Sequence, residues 1–304
     1  MEQYFALVKR NMKLYLRDRG AVFFSLLSML IVLGLMLFFL GDMNVDSLAD
    51  MLAEIPGRNA ETDRENALMF VTLWTCGGIV SINAVTVTLA VFSSCMISDR
   101  TEGKLGSIYT APVSRALVSA SYVTSAWICS FVICIITLAI SEIYCIIQGG
   151  EPFSAAAHLK LIGMIAANSF AYSAIMYLGA VLVKTQSAWS GIGTVIGTLV
   201  GFLGGIYLPV GTLADGVAAV LKCTPVLYGA KMFRSVMTED ISNEIFADIP
   251  DVFRTEYLEA MGVEMEAFGA DISNTACIFI LIACGIIFLI AGVIASGRKS
   301  SVDR

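Results

Sequence analysis

The chain has 304 residues, 57% of them hydrophobic and 14% charged, with a mean hydropathy of +0.80. Soluble domains carry about 25% charged residues, so these values exclude an ordinary soluble globule, and the apolar residues fall in long blocks that indicate an integral membrane protein. The formal net charge is −6, but the acids sit between the apolar blocks and give no reason to expect a nucleic-acid partner.

Residues 1–20 read as an interfacial helix. Between Gln3 and Asp18, Lys9, Lys13 and Arg17 recur at i, i+4, i+8 with Arg10 beside them, while Phe5, Val8, Met12, Tyr15 and Leu16 share another face. Such a helix can lie along the inner membrane surface with its basic side on anionic lipid headgroups.

Six blocks reach the ~20 apolar residues that cross a hydrocarbon core: 21–40, 68–96, 116–147, 159–183, 188–208 and 273–296. The first carries no charge and exceeds the ~7–15 residues of a signal-peptide core, so it is expected to be retained. Lys and Arg collect before the first span (Lys9, Arg10, Lys13, Arg17, Arg19), in the second-to-third loop (Arg100, Lys104, Arg115), at Lys184 and in the tail (Arg298, Lys299, Arg304). The loops 41–67 and 209–272, dominated by Asp and Glu, lie on the other side. By the positive-inside rule both termini are cytoplasmic.

In the second span Thr72, Thr75, Ile79, Asn83, Thr86, Ala90 and Ser93 follow spacings of three and four and so share one helix face. An asparagine at mid-membrane avoids lipid. The stripe therefore faces protein, bonding between and within helices, or the wall of a polar pathway.

The loop Ser98 to Arg115 mixes Asp99, Arg100, Glu102 and Lys104 with Leu105, Ile108 and Tyr109 at near-helical spacing, then stops at Pro112. It reads as a short cytoplasmic helix (97–115) held between two long spans, suited to being pushed by a partner. Arg100, Glu102 and Lys104 are expected to lie exposed in the cytoplasm and to cost the fold little when exchanged. Glu142, in the third span, sits near the outer interface. No ionisable residue occupies a midplane position of the kind ion-coupled carriers use.

The fifth span contains Gly193, Gly197, Gly201 and Gly205 at every fourth position. Glycine costs roughly 0.5–1 kcal/mol against alanine inside a helix, and in lipid such rows let backbones approach closely. The neighbour is another span of this chain or the same helix of a second subunit; a smooth pathway wall or a bend fits the row as well.

Seven of the eight cysteines fall in spans and one, Cys223, in an outer segment; with no CxxC and a single histidine, His158, neither a disulfide framework nor a metal site is indicated. The P-loop pattern is missing: Gly103-Lys104 is followed by leucine and lacks the upstream glycine. ATP-driven transport would need its ATPase, with ATP and Mg, on another chain. An ATP-independent channel or carrier and a membrane sensor or assembly protein are the competing classes; a membrane enzyme lacks clustered acids, bases or ligands.

Two segments carry a resemblance. Asp99, Arg100, Gly103, Pro112, Val113, Ser114 and Arg115 resemble the loop of permease subunits of ATP-binding-cassette exporters of the type-2 membrane-domain family, the type V exporter fold. The stretch GGIYLPVGTLADGVAAVLKCTPVLYGAKMFRSVM is similar to that family's Gly-Ile-Tyr-x-Pro turn, re-entrant outer segment and following Pro and Arg, here Pro225 and Arg234. Thr101 and Glu102 depart from it, since many members place a carboxylate two residues before the glycine.

The resemblance implies an all-α membrane protein and one permease domain over 1–304. Its expected parts are six spans, the interfacial helix, a coupling helix after the second span and a re-entrant segment with an extracellular loop over 209–272. It implies a second permease subunit, identical or a sister chain, clasped with two ATPase subunits in the cell membrane, a bacterial cytoplasmic membrane. Coupling would run through Asp99, Arg100, Glu102, Gly103, Lys104, Leu105, Ile108, Tyr109, Pro112 and Arg115. Thr72, Thr75, Asn83, Thr86, Gly193, Gly197 and Gly201 would line the pathway, and Tyr207, Leu208 and Pro209 would form the outer gate.

Overall fold

The computed structural model describes residues 1–35, 41–55, 57–110, 112–247, 249–267 and 270–302. It is an all-α membrane protein, with one two-residue hairpin beside its helices. In chain order the helices are α1 (Glu2–Arg17), α2 (Arg19–Leu35), α3 (Gly41–Ala53), α4 (Ala60–Thr101), α5 (Lys104–Thr110), α6 (Arg115–Ile147), α7 (Ala155–Leu182) and α8 (Gln186–Leu203). They continue as α9 (Asp215–Lys222), α10 (Pro225–Met237), α11 (Glu239–Ile245), α12 (Asp251–Ala260) and α13 (Asn274–Val302), and the strands β1 (Glu266–Ala267) and β2 (Ala270–Asp271) pair as a hairpin.

Among the described residues four helices are long and apolar enough to cross a membrane: Ala60–Thr101, Arg115–Ile147, Ala155–Leu182 and Asn274–Gly297. They match four of the six expected blocks. Of the first block, 21–40, the described part lies in α2, and residues 36–40 lie outside the described residues. The fifth block, expected to run to 208, ends as a helix at Leu203, because Gly204 and Gly205 close it.

The long helices begin where side chains satisfy their free N–H groups. Asn59 accepts from Glu61 N at the start of α4, Ser114 from Leu117 N at α6, Ser154 from Ala157 N at α7, and Thr185 from Ala188 N at α8. Pro225 opens α10 at a position whose N–H has no helical partner anyway.

Helix α4 is the hub. It packs on α2, α3, α6, α7 and α10, while α13 lies along α7 and α1 lies along α6. Its residues from Phe70 to Val85 are all buried. It passes through a π-helical stretch, Ser93–Ile97, before ending at Thr101. Such a bulge is a local insertion in the helix and often marks a working site.

Helix α3 falls within 41–67, where the sequence predicts an acidic outer loop. Val45, Leu48 and Leu52, at i, i+3 and i+7, are buried against α4. Helix α8 is the opposite case: only Trp189, Val200 and Gly201 of it are buried. Trp189 fastens it by donating Nε1–H to the Leu89 carbonyl at 3.2 Å.

Candidate functional site

The junction of α1, α4 and α6 is built around Asp99, which is 1% exposed. Arg10 grips its carboxylate with two donors, Nη2 to Oδ1 at 2.5 Å and Nη1 to Oδ2 at 2.7 Å, and the Tyr122 hydroxyl donates to Oδ2 at 2.6 Å. A buried carboxylate persists only when paired and hydrogen-bonded, and a two-pronged guanidinium contact is the strongest such pairing. Asp99, first in causing the shift, holds Arg10 above the ordinary arginine range. Three elements, α1, α4 and α6, are thereby tied together, a link between residues 89 apart that sequence reading missed.

Arg100 lies beside it with a different task. Its Nη1 donates to the carbonyls of Ala180 (2.7 Å) and Val183, which end α7. A cation on free C-terminal carbonyls is favoured by both hydrogen bonding and the helix dipole. Arg100 therefore stabilises the fold; the expectation of a freely exchangeable exposed charge does not hold for it.

Glu102 and Lys104 are exposed, each about half accessible, and paired with each other. Lys104, then Ser98, hold the Glu102 carboxyl below the usual carboxylate range. Gly103 sits between them at φ 73, a conformation other residues rarely adopt, and so turns α4 into α5. Leu105 and Ile108 pack against the core while Pro112 and Arg115 are exposed. The side chain of Tyr109 lies outside the described residues.

The polar stripe of α4 divides in two. Thr72, Thr75, Ile79 and Asn83 are buried within the bundle, and Asn83 donates Nδ2–H to Thr137 Oγ1 at 2.6 Å. Thr86, Ala90 and Ser93 instead line a cavity of about 350 Å³ between α2, α4 and α8. Across it stand Gly193 and Gly197, together with Ser25, Trp189 and Asp18. The C-terminal half of the stripe and the N-terminal half of the glycine row thus meet.

The glycine row divides likewise. A Cβ added at Gly193 or Gly197 would meet nothing within 4 Å, whereas at Gly201 it would stand 2.3 Å from the Tyr207 ring. Gly201's close neighbour is a side chain of its own chain. The cause is the end of α8: Ile206 N–H bonds to Gly201 O and Gly205 N–H to Phe202 O, both at 2.9 Å, with Gly205 left-handed at φ 61. This Schellman closure reverses the chain and lays Tyr207 on Gly201 and edge-on to Phe202, ring centroids 4.9 Å apart. Pro209 is buried and Leu208 is 44% exposed.

This contrast is directly testable in the purified protein. Gly201→Ala is expected to lower the thermal midpoint by several degrees, since overpacking costs about 1–3 kcal/mol, and Gly197→Ala to leave it unchanged or raise it. Equal midpoints for the two variants would contradict the Tyr207 contact.

A hub helix walled by packed helices, with four helices long and apolar enough to cross a membrane among the described residues, defines a multi-pass membrane protein. A family model for ABC-2 type transporter matches residues 2–238. The chain belongs to that family, and is a permease subunit of an ABC transporter, whose membrane domains work with an ABC ATPase. A comparison with curated proteins gives no match.

Proposed function

We propose that the chain spans the cell membrane six times with both termini in the cytoplasm. It pairs with a second permease, a copy or a sister chain, and exports its substrate by alternating access. ATP and Mg bind two partner ATPase subunits. Helices α2 and α8 supply the first and fifth spans, and the segment 209–272 forms the re-entrant and outer part. The basic residues flanking the inner ends of the helices support this orientation.

The observation that carries the reading is the inner junction. The exposed α5 sits between α4 and α6, and its root is keyed by Asp99 to α1 and α6 and by Arg100 to α7. A push on α5 by a closing ATPase is thus delivered to four helices at once. The cavity beside Thr86 and Gly197 is the inner part of the pathway, and the Tyr207–Pro209 turn is the outer gate.

The reading is tested by purifying the native complex from membranes, identifying its ATPase and screening compounds for stimulated ATP hydrolysis. Isolation of a fully active transporter without an ATPase would return it to the channel or carrier class. A second test addresses the pathway. Cysteines at Thr86, Ala90 and Ser93 are expected to react with small water-soluble thiol reagents, at rates that change with nucleotide, while Thr75→Cys and Thr88→Cys stay protected. Uniform protection of all five would assign the stripe wholly to helix packing.

A further inference from the structure

Helix α10 carries Arg234 with 0% exposure. Among the described residues its guanidinium makes no ion pair. Its partners are backbone and ring. Nη2 donates to the Gly205 carbonyl at 2.9 Å, Nε to the Trp74 carbonyl at 3.4 Å, and the guanidinium carbon lies 4.1 Å above the Trp74 ring. Nη1 is buried without a hydrogen-bond partner.

The surroundings are shaped to admit it. A Cβ at Gly78 would stand 3.1 Å from Nη2, and one at Gly205 or Gly262 would stand 3.6 Å from Nη1. Trp74 is itself held, donating Nε1–H to the Met261 carbonyl at 2.7 Å. The group therefore joins the outer half of α4, the turn after α8 and the end of α12.

A buried cation without a counter-charge is a poor stabiliser; an apolar side chain of similar length generally serves stability as well or better. The reason for an arginine here lies in what its donors hold. Gly205 is the left-handed residue that reverses the chain after α8, and its neighbour Ile206 is fully buried, its side chain set against Gly78.

We infer that Arg234 is the positioning residue of the outer gate: it pins the Gly204–Pro209 turn onto α4, and outward opening requires the Gly205 carbonyl to leave the guanidinium. The inference rests on the reading of Tyr207–Pro209 as that gate. Release exposes Ile206 and lifts Tyr207 from Gly201.

The test uses the assembled permease and ATPase complex carrying Cys223→Ser, which removes the exposed cysteine, and Ile206→Cys as reporter. With Arg234 in place and no nucleotide, the reporter is expected to be protected from a membrane-impermeant maleimide. Arg234→Met should raise its reaction rate about tenfold or more, the scale on which losing a charge-assisted hydrogen bond shifts a local opening. The thermal midpoint should stay level or rise, an outcome a purely structural arginine would not produce. A folded methionine variant with unchanged protection, or one with a lowered midpoint and unchanged protection, overturns the inference.

If the methionine variant does not accumulate, Arg234→Lys is measured instead. One ammonium cannot span both carbonyls as a planar fork does, so an intermediate rate supports the pin and an unchanged rate overturns it. The gate reading is separated by the parent reporter protein: binding of a non-hydrolysable ATP analogue should expose Ile206→Cys. A reporter opened by Arg234→Met yet indifferent to nucleotide refutes the gate while leaving the pin intact.

Discussion

Replacing Arg10 by alanine is expected to be the most damaging single change at the inner junction, more damaging than replacing Asp99. The two partners differ in access to water: the Arg10 side chain is 32% exposed and that of Asp99 1%. Without Arg10, a buried carboxylate keeps only the Tyr122 hydrogen bond, and stranding a buried charge costs about 3–5 kcal/mol. Without Asp99, the guanidinium can turn to solvent, so Asp99→Asn should cost about 1–2 kcal/mol. The double variant Arg10→Ala with Asp99→Asn should therefore be more stable than Arg10→Ala alone. Thermal unfolding of the four proteins in detergent measures the cycle. Additive losses would mean that the pair does not act as a unit.

The second large effect is expected at α5. Two residues inserted after Gly103 turn the helix by about 200°, at ~100° per residue, and carry Leu105 and Ile108 off the face that packs on the core. Exchanging the exposed pair, Glu102→Lys with Lys104→Glu, keeps the local ion pair and should leave insertion and thermal midpoint unchanged. At a docking surface the same exchange places like charges in opposition. Association with the ATPase should then weaken by about 100-fold, and more severely for the insertion. Arg100 is left out of this exchange, because a carboxylate there would face the C-terminal carbonyls of α7. Affinity measured by immobilised ATPase distinguishes the outcomes. Normal binding by both variants would reduce the loop to a topology signal.

What was legible in the sequence follows from which forces act locally. Runs of twenty or more apolar residues mark α4, α6, α7 and α13 because lipid demands them. The turn after α8 came only with the Gly-Ile-Tyr-x-Pro resemblance, and the span was expected to run through it to 208; its destination was hidden, since Tyr207 lands on Gly201, so two glycines of the regular row, Gly201 and Gly205, serve the turn and the other two face a cavity. Periodicity put Thr72, Thr75, Asn83 and Thr86 on one face, yet spacing alone does not say whether a face meets protein or space. Helix α3 was hidden by its acids, although Val45, Leu48 and Leu52 keep helical spacing. The Arg10 to Asp99 pair and the Arg234 cage join residues far apart in the chain, and nothing local to either partner announces them.

Coupling through the loop requires that α5 receive an ATPase. Ser107, exposed on that helix, can carry a photo-activated cross-linker after Ser107→Cys, with Cys223→Ser. In native membranes the adduct is expected on an ABC ATPase, with a yield that changes when ATP is bound. A transport-competent complex whose Ser107 cross-linker reaches only lipid, or proteins without an ATPase domain, would contradict coupling through α5.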